Sequence, residues 1–111
     1  MSSITAYIGL GSNLSNPIEQ LQKALNSIDA LPSTQLLQSS SFYGSKPLGP
    51  QDQPDFVNAV CKIQTDLSAK ELLHCLQKIE LQQGRIKKRH WGERLIDLDI
   101  LLFGDDIIST D

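Results

Sequence analysis

The sequence predicts one α+β domain over residues 1–111, a ferredoxin-like βαββαβ order with an antiparallel sheet and both helices on one face. Three observations lead there. Apolar residues alternate at Ala6, Ile8 and Leu10, and again at Val57, Ala59, Cys61 and Ile63, the period of half-buried strands. Ile18, Leu21, Leu25, Ile28 and Leu31, and later Leu72, Leu76 and Ile79, recur at helical spacing. Right-handed crossovers then put the two helices on the same side of the sheet.

Ile4 to Leu10 forms the first strand. Gly9-Leu10-Gly11-Ser12-Asn13 reads as a tight turn after it. It lacks the Gly-Lys-Ser/Thr of a Walker loop, and Leu14 stands where a dinucleotide fingerprint needs its third glycine. Asn16 and Pro17 open the first helix, with Glu19 as capping-box partner, and Pro32 closes it. Leu36 to Tyr43, moderately polar, is an edge strand. Three prolines stiffen the loop Gly44–Asp55 into a candidate binding wall. Phe56 to Thr65 is the third strand, with Phe56 and Asn58 on one face: either a ring and an amide suited to a flat heterocycle, or a core residue and a loop cap. Ser68 and Glu71 make a capping box for the second helix, which Gly84 ends. Arg94 to Phe103 is the last strand, with a further extended segment starting at Asp106.

With 40% hydrophobic and 21% charged residues the composition is that of an ordinary globular domain. The net charge of −3, with the basic residues gathered in one loop, argues against general nucleic-acid binding. An RNA-binding domain of the same topology would need a Lys/Arg-Gly-Phe type signature on the third strand, and the sequence has none there. The longest apolar run, Ile100 to Phe103, is too short to span a bilayer, and the start of the chain lacks a signal-peptide pattern. A cytoplasmic monomer without membrane or nucleic-acid partners is expected. Cys61 and Cys75 have no ligand spacing and read as reduced, buried thiols.

The chemistry concentrates near the end of the chain. Asp97 and Asp99 lie two apart in an apolar strand, so both point to one face, with Cα atoms ~6.6 Å apart. Held close, their charges repel, and divalent cations relieve the repulsion. Five of the ten basic residues, Arg85, Lys87, Lys88, Arg89 and Arg94, fall in the loop that runs into this strand. A cationic loop beside paired carboxylates is what a metal–polyphosphate site requires. Glu80, bordering the apolar stripe of the second helix, is either a further site candidate or an exposed flank residue.

Three segments carry a resemblance: Tyr7-Ile8-Gly9-Leu10-Gly11-Ser12-Asn13-Leu14; Pro47 through Asn58; and Trp91-Gly92-Glu93-Arg94-Leu95-Ile96-Asp97-Leu98-Asp99-Ile100. The chain resembles, over essentially its whole length, the 6-hydroxymethyl-7,8-dihydropterin pyrophosphokinases of folate biosynthesis. The resemblance implies an ATP-dependent diphosphokinase that transfers pyrophosphate from ATP to the hydroxymethyl group of the dihydropterin and releases AMP. It places two Mg²⁺ on Asp97 and Asp99, with Arg85 and Arg94 among the catalytic groups. Phe56 would stack on the pterin, Asn58 bond its polar edge, and the backbone around Ser45 and Leu48 complete the pocket. Gln77, Glu80, Arg85, Lys87, Arg94 and Ile100 would line the nucleotide site, and Trp91 belongs to a loop closing over the reactants. Asp99 is a candidate proton acceptor.

Two departures stand out. The Arg85–Trp91 loop is one residue shorter than in well-known bacterial members, and His90 replaces an arginine. Family members also continue past position 111 with a His-Pro segment, an arginine and a second aromatic facing the first across the pterin. The alternative this raises is a non-catalytic pterin- or nucleotide-binding module.

Overall fold

The computed structural model describes residues 3–13, 16–46, 55–83 and 96–107. Alternation in the first strand, β1 (Ile4–Ser12), puts Ala6, Ile8 and Leu10 into the core. It continues through the glycines: Gly9 pairs with Val60 and Asp99, and Gly11 with Asn58 and Asp97. The expected tight turn at Gly9–Asn13 is therefore strand as far as Ser12.

Helix α1 (Pro17–Asp29) starts at Pro17. The capping box expected at Asn16 does not form. Asn16 has φ 63°, which turns its side chain away from the first helical amides, and its Nδ2 donates to Glu19 Oε2 at 3.5 Å. Leu21, Ala24 and Ile28 are buried, whereas Ile18 is 54% exposed. At 100° per residue Ile18 lies about 80° around the helix from Ile28, off the packed stripe.

The expected strand from Leu36 to Tyr43 is two segments, β2 (Thr34–Ser39) and β3 (Tyr43–Ser45), both antiparallel to β4 (Phe56–Thr65). Extending the Ser39–Cys61 register would set Phe42 opposite Asn58, but Tyr43 stands there, one residue late. The gap stays tied to β4: the Ser40 amide donates to Val60 O at 2.8 Å, and Ser40 Oγ accepts the Val60 amide at 2.9 Å.

In α2 (Ala69–Gln82) the capping box forms as expected, Ser68 Oγ accepting the Glu71 amide and the Glu71 carboxylate accepting that of Ser68. Leu72, Leu76 and Ile79 are buried. Beyond its last turn, Gln83 Nε2 donates to Gln20 O and Gln20 Oε1, both at 3.1 Å, fastening this end of α2 to α1. The expected terminator Gly84 lies outside the described residues.

Strand β5 (Asp97–Phe103) pairs with β1, and Gly104, at φ 62°, turns it into β6 (Asp106–Ile107). The sheet order is β2-β4-β1-β5-β6, with β3 also on β4. Its core is the ferredoxin-like arrangement. One face supplies Ala6, Ile8, Leu10, Ala59, Cys61, Ile63, Leu98, Ile100 and Phe103, which pack with both helices into a single cluster. Cys61 and Cys75 are free thiols; Cys75 is only half-buried, against the expectation of two buried ones. Burial pushes the Cys61 thiol up to about 12, a hydrogen bond with the Ile8 backbone drawing it partly back.

Candidate active site

Directly paired residues in antiparallel strands send their side chains to the same face. On the face away from the helices, Tyr43, Asn58, Gly11 and Asp97 form one row across β3, β4, β1 and β5. Val60, Gly9 and Asp99 form the next. In the first row the central strand contributes only hydrogen. Two strand spacings, about 9–10 Å, then separate the backbones bearing Asn58 and Asp97, with main chain as the floor.

Gly11 is glycine because of close approach. A Cβ there would stand 3.0 Å from Asn58 Oδ1 and 3.7 Å from Phe56 Cδ1. At Gly9 the space is taken by Leu101, 3.4 Å from where a Cβ would be. Leu101 has this position because the β1–β5 register shifts between Tyr7 and Ile8, where it is the extra residue. The recess is thus confined to Gly11, with an aromatic and an amide on one side and carboxylates on the other.

On the β4 side, Ser45 pairs with Phe56, and Asn58 Nδ2 donates to Ser45 Oγ at 2.6 Å. That bond fixes the amide rotor and leaves its carbonyl oxygen over Gly11. On the β5 side, Asp97 and Asp99 are half-buried and flank Leu98, whose side chain is in the core. The strand alternation therefore puts both carboxylates on the recess face, as expected.

Glu80 is 6% exposed, and its Oε2 accepts the Leu98 amide at 2.8 Å. A carboxylate buried to this degree is costly unless hydrogen-bonded. Gln77, three residues earlier, is exposed on α2. The Ile100 side chain is in the core, so only its backbone is available to a ligand. Leu48, Arg85, Lys87, Trp91 and Arg94 lie outside the described residues.

The structure brings together Ser45, Phe56, Asn58, Asp97 and Asp99 on one face. Sequence reasoning missed Gly11 as their floor and Tyr43 as Asn58's neighbour. The signal for the first was present: the alternation of Ala6, Ile8 and Leu10 carries on through Ser12.

Residues 7–109 match the family model of 7,8-dihydro-6-hydroxymethylpterin-pyrophosphokinase. The chain belongs to this family. A pyrophosphokinase of Haemophilus influenzae, 2-amino-4-hydroxy-6-hydroxymethyldihydropteridine pyrophosphokinase, is 62% identical over 97% of this chain and 68% of its own length. The protein of the same name from Pseudomonas putida is 46% identical over 96% of this chain and 88% of its own. The folic acid synthesis protein fol1 of Schizosaccharomyces pombe is 41% identical over 96% of this chain, which corresponds to 14% of that longer protein. The chain spans about two thirds of the Haemophilus influenzae relative and 64% of the one from Pseudomonas aeruginosa.

Proposed function

We propose that the protein carrying this chain transfers pyrophosphate from ATP to 6-hydroxymethyl-7,8-dihydropterin, and that the recess at Gly11 is where the two substrates meet. One observation carries the placement: Phe56 and Asn58 stand on one side of a side-chain-free floor, and Asp97 and Asp99 on the other. Phe56 would stack on the pterin ring and Asn58, held by Ser45, would read its polar edge. The hydroxymethyl group would then point along the floor toward the carboxylates. In the reaction its oxygen forms a bond to the β-phosphorus, the bond from that phosphorus to the α–β bridging oxygen breaks, and AMP leaves. The hydroxyl proton is lost, with Asp99 the candidate acceptor.

Asp97 and Asp99 offer hard oxygen donors, and among the described residues no group of three or more His, Cys, Asp or Glu side chains is gathered to hold a metal. That donor set fits Mg²⁺, which binds through one or two carboxylates plus substrate phosphates. Bound there, two Mg²⁺ would neutralise phosphate charge and acidify the substrate hydroxyl. The carboxylates' own part is to fix the reactants from below while Phe56 and Asn58 orient the acceptor. Gln77, Arg85, Lys87, Arg94 and the Ile100 backbone remain the proposed nucleotide side, with Leu48 in the pterin wall and Trp91 over the reactants. A monomer acting in the cytoplasm belongs to the same reading, and light scattering on the purified protein checks the monomer.

The test is AMP release from ATP and hydroxymethyldihydropterin by the natural protein that carries this chain. Pterin-dependent AMP is the expected result. Ligand binding without AMP would turn the assignment to a binding module.

A further inference from the structure

Glu80 has a relation to the site different from that of a nucleotide ligand. It sits on α2, on the helix-covered side of the sheet, 6% exposed, with Oε2 2.8 Å from the amide of Leu98. Leu98 is the residue between the two carboxylates. A strand residue directs its N–H and C=O to the same side of the strand. Because the Leu98 amide meets Glu80, Leu98 turns its backbone away from β1. Asp97 and Asp99 are then the residues whose backbones face Gly11 and Gly9. On the other flank of β5, the described residues of β6 pair with Leu102 and Phe103. The Leu98 amide lies beyond that pairing, and Glu80 occupies the place a neighbouring strand would take.

We propose that Glu80 is a positioning residue: by holding the Leu98 amide it fixes the stretch of β5 that aims Asp97 and Asp99 at the recess. The proposal rests on the reading of that pair as the metal-binding carboxylates. A carboxylate accepts a backbone N–H more strongly than a neutral oxygen does. What the charged acceptor adds is a shorter, stronger hydrogen bond, and therefore less freedom for the strand. The anchor is itself held, since Gln83, three residues on, is fastened to Gln20 of α1. From α1 through the end of α2 to Leu98, packed and hydrogen-bonded elements run to the backbone between the carboxylates. The carboxylates' aim thus depends on where the end of α2 sits.

The experiment uses the natural protein carrying this chain and begins without any substitution. A through-hydrogen-bond NMR coupling between the Leu98 amide nitrogen and the Glu80 carboxyl carbon is expected; its absence overturns the proposal. In Glu80→Ala the Leu98 amide should exchange with solvent at least about tenfold faster. Mn²⁺, used as a spectroscopic stand-in and followed by electron paramagnetic resonance, should bind more weakly. Turnover should fall in kcat by roughly ten- to hundredfold, the scale expected when reacting groups are displaced by about 1 Å. KM for ATP should change much less. Glu80→Gln keeps an oxygen for Leu98 and should recover most of the exchange protection and part of kcat. A Glu80→Ala defect confined to KM for ATP would make Glu80 a nucleotide contact instead. Failure of Glu80→Gln to recover anything would make its charge, and not its grip, the relevant property. Should the unsubstituted protein form no AMP, the proposed reaction falls, while the NMR coupling and Mn²⁺ binding still decide the role of Glu80.

Discussion

The two faces of this sheet are written on alternate residues of the same strands, yet they obey different rules. On the helix side β1 shows Ala6, Ile8 and Leu10, all at most 3% exposed, and volume decides what is tolerated. On the other side the same strand shows Tyr7, Gly9 and Gly11, and in the row between Asn58 and Asp97 what counts is the absence of a side chain. Stability should therefore be sensitive to removal of atoms on the first face, and activity to their addition or loss of charge on the second.

The largest effect that would break this division is expected at the carboxylates. Asp97→Asn and Asp99→Asn should each lower turnover by at least about 10²–10³-fold, the scale of one lost transition-state electrostatic contact. Thermal stability of the metal-free protein should hold or rise, because a like-charge pair is relieved. A variant that kept its activity would end the two-metal reading. Ile8→Ala, on the helix side opposite Cys61, should do the reverse. It should cost about 2–5 kcal/mol in urea unfolding, while the activity of the molecules that remain folded stays close to normal.

Gly11→Ala sharpens the comparison at a single carbon atom. Its Cβ would crowd Asn58 Oδ1 at 3.0 Å, so the amide must shift from its place beside Ser45. KM for the pterin should rise roughly tenfold, the equivalent of about 1.4 kcal/mol, with KM for ATP much less affected. Gly9→Ala meets the flexible end of Leu101 at 3.4 Å and should be milder on both counts. Equal effects from the two alanines would mean that Gly11 is not the floor of the pocket.

The smallest effect lies away from both faces, at the start of α2. Ser68→Ala should lower stability by about 1 kcal/mol, the usual worth of such a cap, and leave the kinetics alone. Hydrogen bonds from the Ser68 backbone and side chain hold the exposed Glu71 carboxyl below its usual pKa. A depressed carboxyl stabilises the fold above its unfolded pKa, and that contribution is lost as pH falls through the folded one. Glu71→Gln should therefore flatten a small acid-side slope in stability below about pH 4.5, with a small cost at neutral pH that vanishes in acid.

Much of this was legible in the sequence because it is local. The spacing of Leu72, Leu76 and Ile79 marked α2, Ser68 and Glu71 marked its start, and two carboxylates in an apolar run marked the candidate site. What escaped depends on partners far along the chain. Ser39-Ser40-Ser41 has no hydrophobic period, so the break between β2 and β3 shows only in the register against β4. Asn16 reads as a cap by residue type, but its left-handed backbone sends the side chain elsewhere. Glycines usually punctuate, and only pairing with Asn58 and Asp97 reveals Gly11 as a strand residue. Glu80 and Leu98 are 18 positions apart, and no pattern in the chain joins them.

The sulfur in the middle of the sheet also keeps time. Cys61 is 1% exposed on the interior strand β4, and burial holds its thiol at about 12, so at neutral pH the folded protein offers a reagent almost no thiolate. Alkylation must wait until β4 comes apart from its neighbours. With reagent in excess, the rate at which Cys61 is labelled becomes a stopwatch for the opening of the whole domain. Cys75, half-buried on α2, runs on a separate and faster clock that reads only the helix face. One denaturant series with mass-spectrometric counting of the two labels would then give the lifetime of the sheet and that of its helical cover in the same tube.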